Sequence, residues 1–377
     1  MNIGIDIKAL NAGKAGIAAY IRNTLDKLQE IDTENRYFLF EKKTSSYRVF
    51  NPRWQKVLVP SRLPGTIWLM VVLPLLLGRY SIDVFWGPEQ LVPCVLPSGS
   101  AAMLSTVLDL ALKRCPRTMQ NTNYLINMLF LKRSIRRSRT ILTISHSIKD
   151  DLCRFFPHDA SLGKVVVTYP GKPQWDLGSD TAAGRGNHLL FAGSLEPRKN
   201  LLNLLKAIFL LKKEKKLIVP LYIVGPGGWK NNAVRTYVET SGLKQQITVA
   251  GFLSEEELIR QYCRCKAFVY PSIYEGFGLP ILESLATNTP VLTSKGTSME
   301  EIAGECCVLF DPSDPRDIAE KIAGVYAPDF DPQARLKHRG EVLARFSWDT
   351  TARQTLAELT DAFMRNKGGE RSHANCC

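Results

Sequence analysis

The sequence predicts an α/β fold made of two doubly wound domains, each a parallel sheet with helices on both faces. Three observations support this fold class. Short apolar runs alternate with helical patterns, a segment rich in Gly, Pro, Ser and Asp interrupts the alternation, and the alternation then starts again. Such alternation is typical of βαβ units, whose strands are parallel. The 377 residues suffice for two domains of about 100–200 residues each.

Residues 1–168 are predicted to form the N-terminal domain. Its strands are short apolar runs, and its helices repeat apolar residues every three to four positions. The predicted strands are Asn2–Ile7, Tyr37–Glu41, Lys56–Pro60, Asp83–Trp86, Met103–Leu108, Thr140–Thr143 and Lys164–Thr168. The predicted helices are Ile17–Gln29, 66–77, Asn121–Arg137 and a helix that Ser145 caps and that ends at Phe155.

Residues 169–187 lack periodicity and are predicted to be the linker to a C-terminal domain over 188–347. The predicted strands of that domain are 188–193, Leu221–Val224, Ile247–Ala250, Ala267–Tyr270, Pro290–Thr293 and Cys307–Phe310. Its predicted helices are Leu201–Lys213, Lys230–Thr240, Glu255–Cys265, Leu279–Ala286, Ser298–Ala303, Pro315–Tyr326 and 332–345. The prediction ends with a helix over 348–366, for which packing back on the N-terminal domain is one option. A disordered tail is predicted over 367–377.

Cysteine usage and the first residues favour a reducing, cytoplasmic compartment. The nine cysteines are odd in number and form no C-x-x-C pair, which argues against a disulfide framework and a structural zinc site. The start, MNIGIDIKAL, reads as a strand and not as a signal peptide. The apolar run Ile67–Leu77 contains Pro74 and is shorter than the roughly 20 residues that span a bilayer. It is therefore predicted to be a buried or interfacial helix.

Positive charge is concentrated in the first half of the chain. Residues 1–186 carry 25 Lys and Arg against 14 Asp and Glu, whereas the rest carries 24 against 22. The densest cluster contains Lys132, Arg133, Arg136, Arg137 and Arg139. It is either a solvated helix face or a contact for an anionic surface, such as a membrane or a lipid-diphosphate acceptor. Nucleic acid is not expected as a partner, because basic and aromatic residues are not interleaved and no reading motif occurs.

The segment Ala267–Glu283, AFVYPSIYEGFGLPILE, carries the strongest functional signal. A buried strand runs into a glycine loop, and a helix begins near Leu279 with a proline in its first turn. The glycines permit close backbone approach to a ligand, and amides at a helix N-terminus bind anions. Glu275 stands before these amides and Glu283 lies one turn into the helix. The predicted ligand-binding residues of this loop are Gly276, Phe277, Gly278 and Leu279.

The string E-G-F-G-L-P-x-x-E resembles the signature of retaining glycosyltransferases of family 4, the sucrose-synthase and mannosyltransferase type, also called glycosyl transferases group 1. The resemblance implies the GT-B architecture, with two Rossmann-like domains facing across a cleft. It also implies that Glu275 contacts hydroxyls of the donor sugar and that Glu283 binds the nucleotide ribose. The likeness extends over about residues 2–360 and is strongest in the second half.

A second segment, Leu189–Asn200, is similar to the G-x-L-x-x-R-K-N segment of the same family. The resemblance implies that Arg198 and Lys199 grip the donor diphosphate. Fixed cations aimed at a leaving diphosphate stabilise the charge that develops there, so no metal and no cofactor are expected. Gly193 and Gly225, each after a strand, are further candidate donor-binding residues. The one D-x-D, at Asp329 and Asp331, lies in a proline-flanked loop and is predicted to cap a helix.

The N-terminal domain matches the family less closely. Its glycine loop offers Gly13 and Gly16 as donor-binding candidates. Relatives commonly have T-x-H-D-L where this chain has TVLDL, so Leu108 replaces a histidine and Asp109 alone remains as a candidate catalytic residue. His146 in the next loop is a candidate for compensation, against a surface or capping role. The loss of the histidine raises the alternative of altered acceptor handling or a non-catalytic protein.

The resemblance implies a retaining, metal-independent hexosyltransferase. The donor expected first is GDP-mannose, and the acceptor is a glycan or lipid-linked glycan of surface polysaccharide such as lipopolysaccharide. A cytoplasmic location with peripheral contact at the inner membrane face fits such an acceptor and the basic N-terminal domain. Two alternatives stay open: a non-catalytic GT-B protein that binds a glycan or a partner transferase, and another GT-B nucleotide-sugar enzyme such as an epimerase.

Overall fold

A computed structural model describes residues 1–11, 15–95, 101–116, 121–160, 163–175, 177, 184–225 and 232–368. The chain divides into two compact units. The first unit contains Met1–Gly171 together with the residues from Phe346 onward, and the second contains Lys172–Arg345. Among the described residues, no helix is both long and apolar enough to cross a membrane.

The first unit is built on a seven-stranded sheet in which all neighbouring strands are parallel. Its strands are β1 (Asn2–Asp6), β2 (Arg36–Glu41), β3 (Trp54–Leu58), β4 (Val84–Gly87), β5 (Ala102–Val107), β6 (Thr140–Thr143) and β7 (Lys164–Val167). Their order is β3-β2-β1-β4-β5-β6-β7. The order reverses direction between β1 and β4, and ligands of doubly wound sheets bind at the carboxyl ends of strands beside such a reversal.

Helices cover this sheet. They are a 3₁₀ turn (Lys8–Asn11), α1 (Ala15–Ile31), α2 (Gly65–Ile67), a π-helical turn (Trp68–Val72), α3 (Leu73–Arg79), α4 (Ala111–Arg114), α5 (Asn121–Arg137), α6 (His146–Phe155) and α7 (Pro157–Ala160). Ser145 caps α6 as predicted, because its hydroxyl accepts a 3.2 Å hydrogen bond from the Ile148 amide. An unpaired amide at a helix start is satisfied in this way.

The second unit has a six-stranded parallel sheet in the order β10-β9-β8-β11-β12-β13. The strands are β8 (Leu189–Ala192), β9 (Leu221–Val224), β10 (Ile247–Gly251), β11 (Ala267–Tyr270), β12 (Val291–Ser294) and β13 (Cys307–Phe310). The helices are α8 (Leu201–Lys215), α9 (Asn232–Ser241), α10 (Glu255–Arg264), α11 (Leu279–Ala286), α12 (Ser298–Ala303), α13 (Pro315–Val325), α14 (Pro332–Arg335) and α15 (Arg339–Ala344). Buried aliphatic side chains of α8 and α13 pack on this sheet and form its core.

The last helix, α16 (Trp348–Gly368), belongs to the first unit. It packs along α1, and the Thr351 hydroxyl donates a 2.6 Å hydrogen bond to the Tyr169 carbonyl. Lys164 on β7 pairs with Glu358 and Asp361 at 2.8 and 3.2 Å. These contacts tie the end of the chain to the sheet of the first unit.

Several predicted bounds were wrong. β3 starts two residues before the predicted Lys56, because the Trp54 ring stacks on Tyr37 with 3.9 Å between centroids. The single helix predicted over 332–345 is two short helices, α14 and α15. Lys367 and Gly368, predicted as disordered, end α16, and 369–377 lie outside the described residues.

Candidate functional site

The strand order of the second unit places two loops side by side. β8 pairs with β11, so Gly193 after β8 and Pro271 after β11 follow neighbouring strand ends. The Asn200 side-chain amide donates a 3.0 Å hydrogen bond to the Pro271 carbonyl, and the Ile273 amide donates at 2.8 Å to the Arg198 carbonyl. One side-chain and one backbone hydrogen bond therefore join the two loops where the strand order reverses between β8 and β11.

A buried carboxylate lies at this junction. Glu275 Oε2 accepts a 2.8 Å bond from Arg198 Nη1, and Glu275 Oε1 is 2.7 Å from Lys199 Nζ. The side chains of Glu275 and Lys199 are each 10% exposed, and that of Arg198 is 20% exposed. Exposed Glu196, at 2.9 Å from Arg198 Nε, holds the other edge of the guanidinium. The cluster thus fixes one carboxylate between two cations.

Tyr270 and Ser298 hold the cluster in place through hydrogen bonds. Lys199 Nζ donates a 2.7 Å hydrogen bond to the hydroxyl of Tyr270, the last residue of β11. The Ser298 hydroxyl, at the start of α12, lies 2.8 and 2.9 Å from the carbonyl oxygens of Glu275 and Phe277. These contacts hold the glycine loop against β11 and α12, so the carboxylate and the ammonium have defined positions.

The charge states follow from these contacts. Burial opposes ionisation of Glu275, but the adjacent cations Lys199 and Arg198 outweigh it and hold the pKa of the carboxyl below its usual range. Burial also opposes the charge on Lys199, yet Tyr270 and Glu275 raise the pKa of its ammonium. Burial raises the pKa of Tyr270 to about 12. At neutral pH the site therefore holds an ionised carboxylate, two cations and a neutral phenol.

The glycine loop leads directly into α11. Gly278 caps this helix with φ 127°, a backbone conformation that favours glycine, and Pro280 lies in the first turn. The amides of that first turn have no acceptor one turn earlier in the helix. Pro280 has no N–H, and the Ile281 amide donates to the Gly278 carbonyl at 2.9 Å. An anion placed before Leu279 would therefore receive the hydrogen bond of the Leu279 amide and the favourable end of the helix dipole.

Glu283 lies further along α11, on a side that α10 covers. Its Oε2 accepts a 2.9 Å hydrogen bond from the Tyr262 hydroxyl. Burial raises the pKa of the Glu283 carboxyl to about 7, although the Tyr262 bond works in the opposite direction. This carboxyl changes its charge near neutral pH, in contrast to Glu275.

The first unit has a cavity of about 520 Å³ at the carboxyl ends of β1, β2, β4 and β5. It lies at the reversal of the strand order between β1 and β4. Its lining is mixed, and the polar members are Lys8, Asn11, Lys42, Lys43, Thr66, Glu89, Gln90 and Asp109. Cavities of this size and lining are typical of small-ligand sites.

One wall of this cavity is an ionic cluster. Lys8 Nζ contacts Asp6 and lies 3.6 Å from Glu89 Oε2. Burial opposes the charge on Lys8, but Asp6 and Glu89 raise its pKa. The lining also includes Leu108, 6% exposed, and Asp109, whose Oδ1 accepts a 3.1 Å bond from the Ala111 amide. The position that holds a histidine in the resembled family is therefore an apolar part of the cavity wall.

Comparison with known proteins identifies the second half of the chain. Residues 179–341 match the family model described as Glycosyl transferases group 1. They are a glycosyl transferases group 1 domain. The chain is also 28% identical over 291 residues to O-antigen chain mannosyltransferase B of Escherichia coli, a match that covers 74% of each protein.

Two solved structures share the fold of the whole chain. Sucrose-phosphate synthase from Thermosynechococcus elongatus superposes with a TM-score of 0.72 at 17% identity, over 97% of this chain and 99% of the other. HepE from Anabaena, solved in complex with UDP-glucose, has a TM-score of 0.69 at 16% identity, over 96% and 100%. Both likenesses support the predicted fold class, so the chain has the GT-B fold of two Rossmann-like domains.

Within the glycosyltransferase domain, the structure gathers most of the predicted donor residues. Glu275, Arg198 and Lys199 form one cluster, and the loop Gly276–Leu279 continues from it. Gly193 begins the loop that carries the two cations. Gly225 has a packing reason as well, since an added Cβ would lie 1.9 Å from the Gly193 carbonyl oxygen. The roles of these residues toward a donor stay predictions.

Predictions for the other unit fared less evenly. Gly13 lies outside the described residues. Gly16 is an exposed residue in the first turn of α1, because that helix begins at Ala15, so its placement in a loop was wrong. His146 is an exposed first residue of α6 and is not part of the cavity lining. In the second unit, Asp331 caps α14 through a 2.8 Å bond from the Gln333 amide, as predicted.

Four residues that make central contacts in the two sites were missed by sequence reasoning. Tyr270 and Tyr262 contact Lys199 and Glu283, and Lys8 and Glu89 line the cavity. A polar side chain at the end of a buried strand was the available signal for Tyr270. Lys8 follows β1 by two residues and Glu89 follows β4 by two, so pairing of β1 with β4 was needed to bring them together.

Proposed function

We propose that this chain is a retaining glycosyltransferase that moves mannose from GDP-mannose to a glycan or lipid-linked glycan in surface-polysaccharide synthesis. The observation that carries the proposal is the buried Glu275 carboxylate held by Arg198 and Lys199 beside the N-terminus of α11. The group 1 domain supports the reaction class. The likeness to O-antigen chain mannosyltransferase B supports mannose and the polysaccharide.

In this proposal the second unit holds the donor. The diphosphate lies at the N-terminus of α11, where it accepts a hydrogen bond from the Leu279 amide, with Arg198 and Lys199 as fixed cations. Lys199 is already held by Tyr270 and Glu275, so little reorganisation is needed when charge develops on the leaving group. Glu275 accepts hydrogen bonds from sugar hydroxyls and Glu283 from the ribose.

The proposed chemical step is a substitution with retention. The acceptor oxygen bonds to the anomeric carbon on the face from which the diphosphate leaves, and the bond from that carbon to the diphosphate breaks. The acceptor proton passes to an oxygen of the departing diphosphate. Neither a metal nor a cofactor is part of the proposal, because the two cations and the N-terminus of α11 stabilise the negative charge that develops on the leaving diphosphate.

The first unit holds the acceptor in this proposal. Asp109 and the Lys8 cluster line its cavity and offer both acceptors and donors of hydrogen bonds to a sugar. An anionic membrane surface is a further proposed partner of this basic unit, which suits a lipid-linked acceptor and a peripheral place at the inner face of the membrane.

A panel of nucleotide sugars tests the donor. The full chain is incubated with GDP-mannose, UDP-glucose and UDP-N-acetylglucosamine, and thermal shift and release of nucleoside diphosphate are measured. We expect the largest shift and the fastest release with GDP-mannose. Release from another donor alone would replace mannose while keeping the reaction class.

Leu108 favours a second candidate function, a non-catalytic protein that binds a glycan or a partner transferase. Its apolar side chain takes the place of the family histidine in the cavity wall. This candidate predicts a folded protein that releases no nucleoside diphosphate from any donor, with or without a glycan acceptor. The same panel therefore separates the two candidates.

A further inference from the structure

The helical segment over residues 65–79 has an unusual outer face. It consists of α2, the π-helical turn and α3, and its inner face buries Trp68, Leu69, Leu73 and Leu77. The outer face presents Ile67, Val71 and Leu75, which are 43%, 41% and 69% exposed. We call these three residues the outer stripe. Their spacing of four residues places them in one row along the helix.

Charge is missing from this outer face. From residue 63 to residue 78 the sequence contains no Asp, Glu, Lys or Arg, and its hydrogen-bonding side chains are Thr66 and Trp68, of which Trp68 is buried. A surface helix of a globular protein normally turns polar residues outward. A helix that is apolar on both faces is suited to contact with another apolar phase through its outer face. At about 1.5 Å per residue its 15 residues extend about 22 Å, less than a hydrocarbon core of about 30 Å, so it fits a position along a surface.

The basic helix α5 adjoins the same segment. Phe130 of α5 packs against the buried cluster that contains Trp68 and Leu73. Residues 92–94, in the segment after β4, contact both helices. The Val92 amide donates a 3.1 Å hydrogen bond to the Ser134 hydroxyl of α5, and Cys94 Sγ lies 3.4 Å from Sδ of Met70 in the π-helical turn.

The cations of α5 are therefore close to the apolar helix. Lys132, Arg133, Arg136 and Arg137 are all exposed, and Arg62 and Arg79 are exposed at the two ends of the apolar segment. Burial raises the pKa of the Cys94 thiol, and Arg133 and Arg137 oppose that rise, which fits their position near Cys94 and hence near Met70. An apolar stripe next to a row of cations complements the acyl chains and phosphates of an anionic bilayer.

We propose that the outer stripe and the exposed cations of α5 bind the surface of an anionic phospholipid bilayer. The outer stripe enters the boundary between headgroups and acyl chains, and the cations contact lipid phosphates. This inference rests on the proposed function in one respect: binding to the membrane would bring the first unit to lipid-linked acceptors. The charges favour a lipid surface over an apolar protein partner, because exposed cations such as Arg133 and Arg137 beside an apolar stripe complement phosphates next to acyl chains.

Vesicle flotation of the full chain tests this inference. Vesicles of phosphatidylcholine alone are compared with vesicles that contain phosphatidylglycerol as well. We expect flotation with the anionic vesicles, a loss of at least tenfold for the double variant Val71→Gln/Leu75→Gln, and a similar loss for Arg133→Gln/Arg137→Gln. High salt should weaken the binding, since exposed charges are screened.

The control variant is Phe252→Gln. Phe252 is 80% exposed but belongs to the second unit, so its loss should leave flotation unchanged. Thermal unfolding of each variant checks that the fold is intact. Equal flotation of all variants, or no flotation of the unaltered chain, would overturn the inference. A change of oligomeric state in Val71→Gln/Leu75→Gln without any vesicle binding would also overturn it, in favour of a protein partner.

Nucleotide-sugar turnover in the absence of vesicles keeps this inference separate from the proposed function. The outer stripe lies outside both candidate sites, so the Val71→Gln/Leu75→Gln variant should release nucleoside diphosphate at the rate of the unaltered chain. Loss of flotation with turnover retained supports the inference. If the unaltered chain floats with anionic vesicles but neither it nor any variant releases nucleoside diphosphate, membrane binding is supported and the proposed function is wrong.

Discussion

Gly225 approaches the backbone of Gly193 so closely that a side chain has no space between them. A Cβ atom added to Gly225 would lie 1.9 Å from the Gly193 carbonyl oxygen, and the Gly193 amide donates a 2.9 Å hydrogen bond to the Val224 carbonyl. Gly193 begins the loop that carries Arg198 and Lys199. The packing of the ends of β8 and β9 therefore helps to position Arg198 and Lys199.

The substitution Gly225→Ala should lower the stability of the protein by about 1–3 kcal/mol, because the added methyl group forces the two strand ends apart. The thermal unfolding midpoint measures this. Gly324→Ala in α13 is the matched control, since no atom lies within 4 Å of its added Cβ. It should leave the midpoint unchanged or raise it slightly. Equal midpoints for the two variants would contradict the packing account.

The substitution Glu275→Gln should reduce donor turnover at least about a hundredfold, because it removes the carboxylate that the sugar would contact and that positions Lys199. Steady-state release of nucleoside diphosphate measures this. Glu196→Gln removes a carboxylate that contacts the same Arg198 but is 52% exposed. That variant should keep most of the activity. A fully active Glu275→Gln protein would remove Glu275 from the proposed site.

The substitution Lys199→Met should weaken binding of GDP at least about tenfold, because a charge-assisted bond to the diphosphate is lost. Isothermal titration calorimetry gives the dissociation constant. Lys212→Met is the control, since Lys212 caps the Gly242 carbonyl on an exposed part of the same unit. Unchanged GDP affinity in Lys199→Met would place the diphosphate elsewhere.

The substitution Glu283→Gln should change how stability depends on pH. The folded pKa of about 7 exceeds the unfolded value of about 4.3, so the folded state binds more protons between these values. The contribution of Glu283 to stability is present below pH 4 and is lost as the pH rises to 7. The stability of the variant relative to the unaltered chain should therefore increase from pH 5 to pH 8.

Unfolding midpoints at pH 5 and pH 8 measure this difference. The Gln side chain still offers a carbonyl oxygen to the Tyr262 hydroxyl, so the hydrogen bond is preserved. Glu239→Gln on α9, whose carboxylate is 55% exposed, serves as control and should show no such trend. A pH-independent difference for Glu283→Gln would show that its carboxyl titrates normally.

The substitution Asp109→Asn should lower transfer to a glycan acceptor at least about tenfold with little change in stability. An amide oxygen still accepts the bond from the Ala111 amide, but the negative charge in the cavity is lost. Product formation with a fixed donor measures this. Asp331→Asn, which alters a similar capping contact on α14, should leave transfer unchanged. Equal rates in both variants would confine Asp109 to a structural role.

Local patterns predicted the strands and the motif loops well, because buried parallel strands are short apolar runs. β6, β11 and β13 begin and end at the predicted residues. The contacts of Lys199 with Tyr270 and of Lys8 with Glu89 were not predictable in this way. They join residues 71 and 81 positions apart, and they exist because β8 pairs with β11 and β1 with β4.

Gly16 and the region over 332–345 show where local patterns mislead. A glycine between a strand and a helix suggests a loop, yet α1 begins before Gly16. The helical pattern over 332–345 is interrupted by a turn at Leu336–His338, where the Arg339 amide bonds the Leu336 carbonyl at 3.0 Å.

The return of α16 to the first unit has a consequence for biosynthesis. The first unit uses two separate stretches of the chain, and the ribosome makes the whole second unit between them. The groove along α1 that receives α16 stays open until Trp348 and the residues after it have left the exit tunnel. The second unit can therefore finish folding during translation before the first one does, and for that interval the nascent chain offers chaperones an uncovered apolar groove in its earliest-made half.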